Sequence, residues 1–192
     1  MAIEIDISRV PLDKRTDLRF VQIFNKIQNK LLNDQSFEEV CIHEGSHLLY
    51  FIQNGVDVFR VEGPFISYDV QADAQADPFD FGVATVRAVN WGSEFKRLDP
   101  VRKIHVMAIV CVAGEIGTRV LLGRSRGKGS GFGDREKFDW ICKKAGIHKP
   151  HWAAIWKAAQ KHVRRDLQRP EIQSGIRLAA DEVKRLLLES AR

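Results

Sequence analysis

The chain is poor in cysteine, and this scarcity excludes a disulfide-stapled scaffold. Only three cysteines occur in 192 residues, Cys41, Cys111 and Cys142, and their spacing does not fit a disulfide framework. An odd number of widely spaced thiols is typical of proteins kept in a reducing compartment. We therefore expect a cytoplasmic protein with free thiols.

Long uninterrupted apolar runs are also missing. A membrane-spanning helix needs about 18 or more consecutive apolar residues. The longest candidate, 104–122, is interrupted by His105, Glu115 and Arg119, and the residues after Met1 lack the basic start and apolar stretch of a signal peptide. The sequence therefore predicts no membrane span.

Nucleotide and nucleic-acid sites are not expected either. The glycine-rich segment 123–133 places three residues between Gly123 and Gly127, where a phosphate-binding loop needs four, and Gly129 stands where that loop needs serine or threonine. The formal net charge is a mild +5, and the basic stretch 143–169 comes without an aromatic strand motif. This stretch is typical of a solvated helix face, so we expect neither ATP nor nucleic acid as a partner.

The pattern of the remaining residues predicts one mostly helical α+β domain over 1–192. Its apolar content of 44% and charged content of 29% are ordinary for a globular protein. We divide it into a strand and helix in 1–35, a core in 36–145 and a helical segment in 146–192. Alternation at 3–7 predicts the first strand, and apolar spacing over 12–32 predicts the first helix.

Within the core, the sequence predicts a small antiparallel sheet between long helices. β-Branched and aromatic residues in 56–68 and 81–89 favour strands, joined by a polar connection at 71–78. A long apolar helix is expected over 99–123, and further helices over 134–145, 150–168 and 170–191. Ser36 and Glu39 form a candidate capping box for a helix that Gly55 ends.

That helix carries the most informative motif of the chain, H-E-x-x-H. His43 and His47 lie one turn apart on the same helix face, where both imidazoles can reach one metal ion. Two neutral nitrogens suit zinc, and Glu44 stands where it can take a proton from a water molecule. The motif predicts metal-assisted hydrolysis, with zinc as the cofactor and Glu44 as the base.

A catalytic zinc needs a third protein ligand and one position left open. The sequence offers three candidates: Glu115 in the long helix, Asp134 at the start of the next helix, and the pair His148 and His151. Glu115 is otherwise explained as a buried acid paired with a base such as Arg119, its neighbour one helix turn away. Asp134 is otherwise explained as a helix N-cap, a role that can coexist with metal binding.

The order of these parts resembles the peptidase domain of FtsH-type proteases, the membrane AAA proteases. The resemblance covers about 36–145, and H-E-x-x-H is its one highly specific element. The other matching segments are two strands, parts of the long helix and the loop that closes on an aspartate: 56–61, 82–87, 113–114, 121–123 and 131–134.

This resemblance implies that His43, His47 and Asp134 bind zinc and that Glu44 is the catalytic base, with Glu115 as the rival ligand. The chain departs from the family where Thr118 and Arg119 replace an acidic pair, and the sequence shows no ATPase module. We therefore expect an ATP-independent endopeptidase that cleaves flexible or unfolded polypeptide. The alternative is a non-catalytic, metal-stabilised binding module of the same fold. The sequence leaves homo-oligomerisation open.

Overall fold

The structure is a computed structural model that describes residues 3–69, 78–123 and 132–190. Within these residues it is mostly helical with a minor β component, which confirms the expected α+β class. A short 3-10 turn, Leu12–Lys14, precedes the first helix. The helices are α1 Leu18–Leu32, α2 Asp34–Gln53, α3 Ser93–Arg97, α4 Pro100–Leu122, α5 Phe132–Lys144, α6 Lys149–Asp166 and α7 Pro170–Ser190.

The β component consists of two antiparallel pairs instead of the single sheet that we predicted. The four strands are β1 Val56–Glu62, β2 Phe65–Tyr68, β3 Phe79–Gly82 and β4 Thr85–Trp91. β1 pairs with β4, and β2 pairs with β3. The two predicted strands were correct in type, but each is divided, the first at Gly63, whose φ of 117° lies in the left-handed region that favours glycine. Most of the predicted 71–78 connection lies outside the described residues.

Two predictions for the N-terminal segment were wrong. Alternating isoleucines predicted a strand, but the segment makes only an isolated parallel bridge between Asp6 and Phe65. The N–H of Asp6 donates to the carbonyl of Pro64, and its carbonyl accepts from the N–H of Ile66, each at 2.8 Å. The first helix begins six residues later than predicted, because Asp17 caps it by accepting from the N–H of Arg19.

Helix α2 lies at the centre of the fold, between α4 on one side and α7 on the other. Its close approach to α7 depends on Gly45, where an added Cβ would come within 2.5 Å of the backbone N of Ala180.

The capping box that the sequence predicted for α2 was wrong. Asn33 caps the helix one turn earlier, its side chain accepting from the N–H of Ser36, so Ser36 lies inside the first turn.

Helix α4 has the bounds that the sequence predicted. Asp99 caps it, Pro100 occupies its first turn, and Gly123 ends it at a φ of 62°. Among the described helices it is the one long and apolar enough to cross a membrane, by length and composition only, and 56% of that stretch is buried inside the protein. The core helix of a globular protein passes the same test. The interruptions by His105, Glu115 and Arg119 therefore do not exclude this helix by composition, and the absence of a membrane span stays a prediction.

The last three helices follow the predicted order with small shifts of their ends. α5 starts at Phe132, two residues before the predicted start, so Asp134 lies in its first turn and is not its N-cap. α7 packs along α2, and α6 packs on α4, so the C-terminal segment adds side chains to the core around α2 and α4. Most of the glycine-rich 123–133 segment lies outside the described residues.

Candidate metal centre

Helix α2 places His43 and His47 side by side in the interior. Each residue is only 6% exposed, and the two ring centroids lie 4.8 Å apart. The helix buries this face because the residues around the motif, including Cys41, Ile42 and Leu48, are apolar core residues. His43, Glu44 and His47 together form a group that could hold a metal ion, with ligand atoms all within 4.8 Å of one another.

Helix α5 brings Asp134 to the same point. Its Oδ2 atom lies 3.2 Å from Nε2 of His43 and 3.4 Å from Nε2 of His47. Two ligands of a tetrahedral zinc with bonds of about 2.0–2.1 Å are separated by roughly 3.3 Å. The two distances from Asp134 to the imidazoles are therefore compatible with a shared metal ion. Glu44 also lies within 4.8 Å of both imidazoles, and its carboxylate accepts a hydrogen bond from the N–H of Val86.

His47 is oriented by its second ring nitrogen. Nδ1 lies 2.7 Å from the carbonyl oxygen of Val110 on α4. A carbonyl only accepts, so Nδ1 carries the hydrogen, and the lone pair of the neutral ring is on Nε2, which faces Asp134. Nδ1 of His43 is buried and has no hydrogen-bond partner among the described residues. Only one of the two rings therefore has an outer hydrogen bond that fixes its tautomer.

Gly114 leaves the space in front of the imidazoles open. A Cβ at this position would come within 2.5 Å of Nε2 of His47 and 2.6 Å of Nε2 of His43. Any side chain here would press on the nitrogen atoms that a metal would use. A space that one carbon atom would fill, next to two imidazole nitrogens and a carboxylate, fits a divalent metal.

Glu44 extends from α2 towards strand β4. Its Oε2 atom accepts a hydrogen bond of 2.9 Å from the N–H of Val86. β1 is the only strand paired with β4 among the described residues, and the Val86 N–H directs β4 towards Glu44 and the centre. A cavity of about 100 Å³ lies between β4, α2, α4 and α5, and its lining includes Glu44, His47 and Asp134.

The electrostatics hold His43 and Asp134 in the forms that bind a metal, and hold His47 in its protonated form. Burial lowers the pKa of His43 and keeps its ring neutral. Burial raises the pKa of the Asp134 carboxyl, but the charge of His47 and hydrogen bonds from both imidazoles hold it far below its usual range. Burial lowers the pKa of His47, yet the Asp134 charge and hydrogen bond outweigh burial and raise it to about 9. Metal binding would therefore release a proton from His47.

The other candidate ligands lie elsewhere. Nη2 of Arg119 lies 2.5 Å from Oε1 of Glu115, so Glu115 makes the alternative ion pair and contacts neither imidazole. It is also partly exposed, whereas the sequence suggested a buried acid. His148 and His151 are exposed at the start of α6, with ring centroids 6.2 Å apart. The structure thus brings together His43, Glu44, His47 and Asp134 and separates Glu115 and the histidine pair from them.

Sequence reasoning missed the backbone partners of this centre. Val110 and Val86 contribute main-chain atoms, and such contacts leave no pattern in residue types. Gly114 did carry a signal, because a glycine inside a long helix costs about 1 kcal/mol relative to alanine and so points to close packing.

Comparisons with known proteins found no matching family model, no matching curated protein and no matching solved structure. The function of this chain is therefore inferred from its residues and their geometry.

Proposed function

We propose that this protein is a zinc-dependent endopeptidase that works without ATP. The observation that carries the proposal is the approach of the Asp134 carboxylate to both H-E-x-x-H imidazoles, at 3.2 and 3.4 Å, with Glu44 beside them. Two histidines and one carboxylate leave one position of a tetrahedral zinc open for water or substrate.

Metal binding and proton transfer would be carried out by different residues of the centre. When bound, zinc polarises a carbonyl and lowers the pKa of water. His43, His47 and Asp134 would hold the metal. Glu44 would accept a proton as the water oxygen attacks the peptide carbonyl carbon, and would then pass it to the leaving nitrogen as the C–N bond breaks. The Val86 N–H keeps the Glu44 carboxylate close to the cavity in which this proton transfer takes place.

The surroundings of the centre favour an extended polypeptide as substrate. The site cavity of about 100 Å³ is too small for a folded segment. The edge of β4 that is not paired with β1 can bind a main chain through backbone groups other than the Val86 N–H, which Glu44 occupies. Flexible or unfolded polypeptide is the expected substrate, and the β4 edge would bind it.

Substitution of Glu44 by glutamine tests the proposal. Glutamine keeps the shape and can still accept from Val86, but it cannot take up the proton. We expect the Glu44→Gln protein to retain bound zinc and lose cleavage of an unfolded substrate such as casein. The matched control is Glu115→Gln, which removes a carboxylate from α4 but leaves the centre intact, and it should cleave like the wild type. Equal cleavage by the Glu44→Gln and wild-type proteins would disprove the role of Glu44.

A second candidate function is a non-catalytic, metal-stabilised binding module. The hydrogen bond from Val86 supports it, because this bond gives Glu44 a structural role without catalysis. In that case zinc would raise the melting temperature of the wild-type protein while no peptide bond is cut.

A further inference from the structure

Lys137 lies one helical turn beyond Asp134 on α5, so both side chains are on the same face of that helix. Both line the site cavity, together with Glu44 and His47. The Asp134 carboxylate contacts the two imidazoles. Lys137 itself is exposed, so its ammonium group remains accessible to a molecule that enters the cavity.

Lys137 is the only lysine or arginine among the described residues that line this cavity. The positive charge of Lys137 acts on groups inside the site. Burial raises the pKa of the Cys111 thiol, which also lines the cavity, and the positive charge of Lys137 acts in the opposite direction. One backbone donor on β4, the N–H of the cavity-lining Val86, is already bonded to Glu44. A negative charge that develops on a bound substrate would therefore be stabilised by the ammonium group of Lys137.

We propose that Lys137 is a further catalytic residue, whose ammonium group stabilises the oxyanion that forms when water adds to the scissile carbonyl. This inference rests on the proposed peptidase function. As the water oxygen bonds to the carbonyl carbon, the C=O π electrons move to the oxygen and the water proton moves to Glu44. The ammonium group donates to that oxygen without transferring its own proton. When the C–N bond breaks, the carbonyl re-forms and the contact weakens.

The test uses binding as well as cleavage. A phosphinic peptide, with a tetrahedral anionic phosphorus in place of the scissile carbonyl, is titrated into the zinc-loaded protein by calorimetry. Lys137→Met removes the charge and keeps the chain length, Lys137→Arg keeps the charge, and Lys143→Met removes a charge from an exposed position on the same helix. We expect Lys137→Met to weaken phosphinate binding about 100-fold, the lower end of the loss that follows removal of an oxyanion donor. Lys137→Arg should restore most of the affinity, and Lys143→Met should bind like the wild type.

Steady-state cleavage of an uncharged, end-capped peptide gives the second readout. Lys137→Met should lower kcat with KM nearly unchanged, because the contact forms in the transition state. Wild-type phosphinate affinity in Lys137→Met overturns the proposal. Loss of zinc in that variant also overturns the proposal. A rise in KM confined to substrates with a carboxylate would do the same, because it would mean that Lys137 recognises substrate charge.

The two proposals fail in different ways. If the wild type cuts no peptide but its phosphinate binding depends on Lys137, the peptidase function is wrong and the anion contact remains. If the wild type cleaves through Glu44 and Lys137→Met behaves like it in both assays, only the role of Lys137 is wrong.

Discussion

Gly114 of α4 faces His47 of α2 so closely that a Cβ on the glycine would lie 2.5 Å from Nε2 of the imidazole. We therefore predict that Gly114→Ala loses bound metal, because the added methyl group presses on both ligand nitrogens. Metal analysis of the purified protein is the measurement. Gly133→Ala is the matched control, since a Cβ there meets nothing within 4 Å, and it should keep its metal. A full metal load in Gly114→Ala would show that metal binds elsewhere.

The hydrogen bond between His47 and the Val110 carbonyl predicts the tautomer of the metal-loaded protein. Nδ1 should carry the hydrogen and Nε2 should bind the metal. Long-range ¹H–¹⁵N NMR of the zinc-loaded protein distinguishes the two ring nitrogens. A hydrogen on Nε2 of His47 in that sample would contradict the ligand assignment.

Packing of α2 against α7 predicts a stability defect in Gly45→Ala. An added Cβ would meet the backbone of Ala180 at 2.5 Å, and a backbone cannot move aside as a flexible side chain can. Overpacking of this kind costs about 1–3 kcal/mol. We expect the free energy of unfolding, measured by urea titration, to fall by about that amount. Gly133→Ala, the same change in open space, should not be destabilised. Equal unfolding curves for the two variants would mean that α7 is not packed on α2 as described.

The three thiols should react only after unfolding. Cys41, Cys111 and Cys142 are all free and buried. A thiol reagent should label the native protein slowly and label all three positions rapidly in denaturant. Rapid labelling of one thiol under native conditions would show that its part of the core is open.

Sequence reasoning was most successful where one residue determines a local structure. Asp99, Pro100 and Gly123 mark the ends of α4, and the structure has those ends. The spacing of His43 and His47 required only that α2 be helical, which the structure confirms.

It was least successful where neighbouring elements compete. Ser36 with Glu39 fits a capping box, but Asn33 offers an equivalent acceptor earlier in the chain and the helix begins there. The isoleucines of 3–7 have the alternation of a strand, but only Asp6 finds a bridge partner.

The third ligand could not be chosen from residue types alone. Glu115 and Asp134 are both carboxylates on helices, and the resemblance to a family favoured Asp134. The choice depends on which helix face points to α2, and this is a matter of tertiary packing. In the structure Glu115 pairs with Arg119 on the outside of α4, while α5 carries Asp134 to the imidazoles. The role of Asp134 as a metal ligand stays a prediction.

Metal analysis of four proteins tests this ligand set most directly: the wild type, His43→Ala, Asp134→Ala and Glu115→Ala, each purified and then loaded with zinc. We predict one zinc per chain in the wild type and in Glu115→Ala, and loss of zinc in His43→Ala and Asp134→Ala. A full zinc load in Asp134→Ala, or loss of zinc in Glu115→Ala, would contradict the proposed centre.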